Sequence, residues 1–449
     1  MMNNIADIFV DSIYQIIDKP IPLRISQFIK KCLVDYLGAT IGGSAISQKK
    51  GHALLALLNE KGDCTLVGYK QKASLQTALL INGISSHMAE LDDGVISGII
   101  HPGSPVFTAL LSVAEKENVS WNNFAIGVLI GYEASVRLAN AIQPSHKKCG
   151  YHASGTCGTI GVAMGIAAML GFSKNQMKET LSVSTASAHG TLKVLEDASE
   201  LKPYNIASAA INGVLAAYMA MAGFRGANDA FSGEAGFFAQ MTQEVDYSKL
   251  IRKPDDSYCI EDVYFKPYAA CRYCHPSIEA SIKLRKDHNI DYRNIAKIDV
   301  VTYSLAVKHH DHVDIPNLSS AKMSIPYSAA VSLVTGSGGA SSYTDKYVFD
   351  REIIGLAHKV HVSSDEEYSA QFPRKSMARM TITMNEGLVY STIIDLPKGE
   401  PDNPLTDSDL CDKFKSLSSF AGWQDTDAQQ ILEIIYADDF DIRELIKKL

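Results

Sequence analysis

Five groups of side chains in this 449-residue sequence are of the types that move protons or neutralise anions. The first is an acidic corner, Glu90, Asp92 and Asp93, followed within a dozen residues by His101. Carboxylates and an imidazole on loops between rigid helices suit acid–base work, though solvated acids at a helix end are the plainer alternative. The second is His146, Lys147, Lys148, Tyr151 and His152, a cationic and imidazole-bearing run. It leads directly into a helix rich in glycine and alanine, for which Ser154 or Thr156 offers a cap. A helix N-terminus presents free N–H groups and partial positive charge, so a carboxylate or phosphate there would meet donors from several sides.

The third group is Lys202, followed by Pro203 at the expected first turn of another apolar helix. With Asp197 and Glu200 close in sequence, an ordinary surface ion pair is the competing reading. The fourth runs from Lys266 to His275 and packs Cys271, Arg272, Cys274 and two tyrosines into ten residues. It contains the C-x-x-C-H pattern of haem attachment, but the N-terminus lacks the export signal that attachment requires. A redox dithiol is the other reading of that pattern, and no thioredoxin-like strand precedes it. The fifth, His309, His310, Asp311 and His312, lacks the i, i+4 spacing of a helical metal site and reads as a polar loop.

These groups need elements to hold them. Apolar periodicity predicts helices from Asn3 to about Gly43, broken at Pro20 and Pro22, and then at 75–91, 104–117, 121–142, 174–188 and 206–223. No strand signal of any strength falls between Leu75 and Phe224. After about Lys266 the pattern changes. Residues 297–303 and 377–384 alternate as strands, and Asn385-Glu386-Gly387 turns the second into a partner at 388–394. Helices are expected at 326–335 and 350–359, and three short ones after Pro404. The expected architecture is mainly α with an α+β second domain. Residues 1–265 form the first part of a large helical domain, 266–400 a smaller α+β domain, and 401–449 helices that return to the helical domain.

A net charge of −8 disfavours binding to nucleic acid or an anionic membrane. The cleanest apolar runs, 159–172 and 209–224, are shorter than the roughly 20 residues of a membrane span. Eight scattered cysteines and no secretory signal at the N-terminus point to a reducing, cytoplasmic setting.

Taken in order, AELDDG, HPGSPVFTALLSVAE, GYHASGTCGTIGVA, ELKPYNIASAAINGVLAA, KPYAACRYCHPSIEA, SIPYSAAVSLVTG and LPKGEPDNPLT resemble the MmgE/PrpD family over nearly the whole chain. That family takes in 2-methylcitrate dehydratase, cis-aconitate decarboxylase and iminodisuccinate epimerase. The resemblance implies a helical domain, a smaller lid, a homodimer, and a cofactor-independent active site between the domains. It assigns catalytic positions to Asp92, His101, His152, Lys202, His275 and Tyr327, and substrate contacts to Tyr151, Lys266, Cys271 and Arg272. No metal is expected. Three positions depart from the decarboxylase pattern: Glu90 stands for an aspartate, Gly94 for a threonine, and Cys271 for a lid histidine.

The family's chemistry starts at an acidic C–H next to a carboxylate. Lysines, Arg272 and His152 would stabilise an enolate-like transition state, and His101 or His275 would move the proton. Dehydration of a small branched di- or tricarboxylic acid is the expected reaction, with epimerisation and decarboxylation as rivals. A protein that only binds polycarboxylates is the alternative outside enzymology.

Overall fold

A computed structural model describes residues 4–253 and 256–449. Helix α1 (Ile5–Ile17) is capped by Asn4, whose side chain accepts from the Asp7 N–H at 2.7 Å. Pro22 precedes α2 (Leu23–Leu58), which runs for 36 residues and crosses α3 (Leu75–Met88). A Cβ on Gly43 would sit 1.9 Å from the Ser85 carbonyl oxygen, so only glycine permits this approach. Between the two helices lies a ribbon of β1 (Cys64–Leu66) and β2 (Gln71–Ala73).

Helices α4 (Gly103–Glu117), α5 (Trp121–Ile142), the single turn α6 (Ser145–Lys148), α7 (Ala153–Met169), α8 (Lys174–Ser187) and α9 (Lys202–Met221) complete this half. Every residue of α7 is buried. It packs on α5 at backbone distance, because a Cβ on Gly161 would lie 2.6 Å from the Gly131 carbonyl oxygen. Helix α5 is long and apolar enough to cross a membrane, a property the sequence reading did not single out. It is instead the central core helix, and its Glu133 and Arg137 pair with each other inside the protein at 2.7 Å.

Beyond the short α10 (Phe237–Met241), helix α11 (His275–His288) covers a four-stranded sheet ordered β4-β3-β5-β6. Strands β3 (Ile295–Thr302), β5 (Ala378–Met384) and β6 (Val389–Ile394) are antiparallel neighbours. Strand β5 buries Ala378, Met380, Ile382 and Met384, the period-two face expected of it. Strand β4 (Val360–Ser364) pairs parallel to β3 and was not foreseen, since VHVSS lacks a clean alternation. The last helices, Asp407–Phe420, Asp425–Tyr436 and Ile442–Ile446, return to the helical half and pack on α2 and α4. Lys413 carries that return to the acidic corner, donating to Asp35 at 2.5 Å and to the Leu91 carbonyl at 2.6 Å.

Candidate active site

The end of α3 and the start of α4 bring the acidic corner into the interior rather than into solvent. Glu90 takes a left-handed backbone conformation (φ 54°), which turns the chain sharply after Met88. Its carboxylate accepts from Lys202 Nζ at 2.5 Å and from Lys266 Nζ at 3.1 Å. Asp92 accepts from Ser104 Oγ at 2.8 Å and from His87 Nδ1 at 2.7 Å. These neighbours outweigh burial and hold both carboxyls well below the ordinary carboxylate range. Asp93 behaves oppositely. Burial and the nearby Asp35 push its carboxyl up to about 8, while it accepts from the Gly103 N–H and the Tyr132 hydroxyl.

The two histidines that face the inner cavity are fixed as different tautomers. His101 Nδ1 lies 2.6 Å from the Asp93 carbonyl oxygen, which only accepts, so Nδ1 carries the proton and Nε2 is bare. His152 Nδ1 accepts from the Asn205 amide at 3.1 Å, and the same amide nitrogen donates to the Thr191 carbonyl. The proton of His152 therefore sits on Nε2. Burial, helped by nearby lysines, lowers both imidazoles, His101 to about 3, so both are neutral at physiological pH.

His101 and His152 face one narrow cavity of about 80 Å3 together with Lys147, Tyr151, Lys202, Tyr264, Cys271, Arg272, Tyr273 and His310. A wider outer cavity of about 620 Å3 shares Leu195, Lys202 and Met323 with it, and adds His87, Glu90 and Lys322. The inner cavity thus carries positive charge and imidazoles, a setting for an anion with an acidic C–H. Arg272 is held for this by Glu400, by the Tyr264 ring 5.0 Å away, and by His275.

Several expectations are corrected by this geometry. His275 is fully buried and absent from the cavity wall. Its Nε2 donates to the Ala270 carbonyl at 3.1 Å, so its Nδ1 accepts from Arg272 at 2.8 Å, and neither nitrogen is left to act as a base. Tyr327 is also buried away from the cavity, its hydroxyl 3.4 Å from the Ser342 carbonyl and its ring tilted against Tyr343. Ser324 caps the helix it starts (Ile325–Thr335), which turns Tyr327 into the core of the α+β half. Lys266 and Asp92 lie beneath the cavity, with Lys266 neutralising Glu90 and standing 3.9 Å from Asp92, rather than on its wall. Lys202 pairs with Glu90 and not with Glu200, which binds Lys50. Neither Ser154 nor Thr156 caps α7, because Ser154 accepts from the His101 N–H and Thr156 meets His146.

Two residues stand in the site that sequence reasoning did not place there. His87, on the last turn of α3, fills the space between Glu90 and Asp92, its ring 4.9 Å from that of His101. Its spacing to Glu90, one helical turn, was the available signal. His310 belongs to the loop read as merely polar. His87, Asp92 and His101 bring ligand atoms within 4.8 Å of one another, close enough for an ion. However, His101 Nδ1 is committed to the Asp93 carbonyl and Lys266 already supplies positive charge to Asp92, so the group reads as a hydrogen-bonded shell beneath the cavity.

Both halves of the chain match known sequence families. Residues 9–250 match the MmgE/PrpD N-terminal domain, and residues 268–438 match the MmgE/PrpD C-terminal domain. The chain is 24% identical over 424 residues to the cis-aconitate decarboxylase-like protein oryM of Aspergillus oryzae, covering 89% of this chain and 87% of that protein. It is 24% identical over 439 residues to the cis-aconitate decarboxylase of Aspergillus terreus, covering 92% and 88% of the two chains. It is 23% identical over 434 residues to the human cis-aconitate decarboxylase, covering 93% and 89%. With both domains matched in order across most of its length, the chain belongs to the MmgE/PrpD family.

Proposed function

We propose that this protein is a cofactor-independent lyase that removes water from a small branched hydroxy di- or tricarboxylic acid of the 2-methylcitrate kind, leaving an unsaturated acid of the cis-aconitate kind. The observation that carries this reading is the pair of opposite tautomers on one cavity wall, His101 with Nε2 bare and His152 with Nε2 protonated. His101 Nε2 takes the proton from the carbon beside a substrate carboxylate. Lys202 and Arg272 neutralise the carboxylate as charge builds toward the enolate. His152 Nε2–H hydrogen-bonds to the departing hydroxyl, which takes up the proton that His101 has removed and leaves as water. Positioning and charge stabilisation account for the step without a metal-activated water.

Decarboxylation is the second reading, favoured by the names of the relatives. There the electrons released by departing CO2 enter the same cation-lined pocket, and a lysine ammonium on that wall, Lys147 or Lys202, gives a proton to carbon.

The test is a screen of 2-methylcitrate, cis-aconitate, iminodisuccinate and related acids in D2O, followed by proton NMR. Olefinic product with loss of water is the expected result. Loss of CO2 would establish the second reading, and deuterium exchange without net loss would indicate epimerisation. Saturable binding with neither exchange nor turnover across the panel would replace the enzyme reading by a carboxylate-binding one.

A further inference from the structure

Cys271 does not stand alone on the wall of the inner cavity. His310 lines the same cavity, is 5% exposed, and has its Nδ1 2.7 Å from the Lys308 carbonyl oxygen. A carbonyl accepts only, so Nδ1 carries the proton and Nε2 is left bare, the nitrogen able to take up a proton from a thiol on the same wall. Nucleophile, base and a carbonyl that orients the base form the arrangement that activates a thiol or hydroxyl. The surroundings hold it firmly. The Cys271 N–H donates to the Lys322 carbonyl at 2.8 Å, His310 accepts through its own carbonyl from Ile325 at 2.8 Å, and the Tyr273 ring lies edge-on to the imidazole at 5.1 Å. The left-handed backbone of His309 (φ 69°) is what turns His310 inward.

We propose that Cys271 with His310 is a nucleophilic site that captures carboxylate-bearing carbon electrophiles covalently, α,β-unsaturated acids among them. Lys147, Lys202 and Arg272 on the same wall hold the carboxylate end. His310 takes the thiol proton as Sγ bonds to the β-carbon, the π pair moves to the α-carbon, and His310 returns the proton there. With an α-halo acid Sγ bonds to the α-carbon and halide leaves. Burial and the charge of Glu90 oppose a thiolate here, but His310 and Lys202 outweigh them and bring the thiol below its ordinary range. His101, Gln143, Tyr151, His152, Tyr264 and Tyr273 complete the polar groups on the cavity wall around it. The site does not depend on which acid the enzyme turns over.

The experiment treats the native full-length protein with substoichiometric iodoacetate, or with iodoacetamide, and maps the eight cysteines by mass. Cys149 is exposed and serves as the reference thiol. Cys271 should be alkylated first at pH 7, and its preference for iodoacetate over iodoacetamide should exceed that of Cys149 by about tenfold, as a cationic pocket requires. Lys147→Met should reduce the iodoacetate rate at Cys271 while sparing the iodoacetamide rate. His310→Gln should slow Cys271 about tenfold at pH 7 and move its reactivity to the pH of a free thiol, with Cys149 unchanged. Acrylic acid should leave an adduct on Cys271 before any other cysteine. Alkylation of Cys149 ahead of Cys271, equal reagent preference at both, or indifference to both substitutions would each overturn the proposal.

Discussion

Lys202 Nζ lies 2.5 Å from Glu90 Oε1, at the junction of the inner and outer cavities. The lysine belongs to the first turn of α9 and the carboxylate to the turn after α3, so the pair ties two helices at the mouth of the site. Glu90 is shared with Lys266 below, which leaves Lys202 balanced between a buried carboxylate and the cavity. Despite the cost of burial, the Glu90 charge raises the lysine above its ordinary range and keeps it cationic. A substrate carboxylate entering from the outer cavity meets a charge already oriented.

Lys202→Met therefore carries two expected effects, not one. It should lower kcat/KM by roughly 100-fold or more, the loss of one preorganised charge contact. It should also lower the melting temperature, since stripping a partner from a buried carboxylate costs up to about 3–5 kcal/mol, moderated here by Lys266. A Glu90→Gln, Lys202→Met double variant should regain stability and stay inactive. Steady-state kinetics and thermal melts on the three proteins decide it; unchanged kcat/KM in the single variant removes Lys202 from the chemistry.

The tautomer pair makes a separate prediction. His101→Gln and His152→Gln should each reduce kcat by about 100-fold or more with little change in KM, as expected for a proton-transfer group and for a hydrogen-bond donor whose bond strengthens in the transition state. Because His101 is held down to about 3, the acid limb of the kcat/KM profile should lie well below the usual imidazole value. Burial lowers Lys147 to about 8, so loss of its charge should set a basic limb near there. An acid limb at the ordinary histidine pH, in protein shown by melting to be folded, would exclude His101 as the base.

Much of this was legible in the sequence. Helices α3, α4, α5, α8 and α9 are long and periodic, and the small-residue pattern of α7 announced a helix packed against other backbones. His101, Tyr151, His152, Lys202, Cys271 and Arg272, all singled out in the sequence, line one inner cavity. The errors share a cause, which is that neighbourhood in sequence is not orientation. His275 lies four residues from Cys271 but faces Arg272, while His310, some forty residues on, supplies the imidazole on the same cavity wall as the thiol. His87 sat inside an apolar helix and was passed over, since its role depends on Asp92 folding back beneath it. Strand β4 is too short and too mixed to announce itself, and it exists because β3 offers it an edge.

Helix α9 also carries an outward stripe. Tyr204, Ile211, Leu215 and Tyr218 recur at helical spacing, and Leu215 remains 54% exposed, with Met221 and Phe224 just beyond. We expect a homodimer, and this stripe is the surface suited to meet a second copy. Light scattering should give twice the 48.8 kDa chain mass, and Leu215→Glu should shift the mass toward one chain. A monomeric wild type at micromolar concentration would rule the dimer out; a dimer indifferent to Leu215→Glu would place its interface elsewhere.

The last prediction concerns Asp93, whose carboxyl is raised to about 8 between Asp35, Tyr132 and the start of α4. A carboxyl raised in the folded state gives stability that is full below its unfolded value, near 4, and is lost as pH climbs through the folded value. Asp93→Asn keeps an oxygen for the Gly103 N–H and presents an amide to the Tyr132 hydroxyl oxygen, but it cannot ionise. The stability of the wild type relative to this variant should therefore fall steadily from about pH 4 to about pH 8, by an amount on the order of a few kcal/mol. The lowered imidazoles of His101, His146 and His152 act in the opposite sense below about 6.5, and they are common to both proteins, so they cancel in the difference. Urea unfolding at a series of pH values measures it. A difference that is flat, or that grows with pH, would mean that Asp93 is ionised in the folded protein and that the corner carries a third negative charge beneath the cavity.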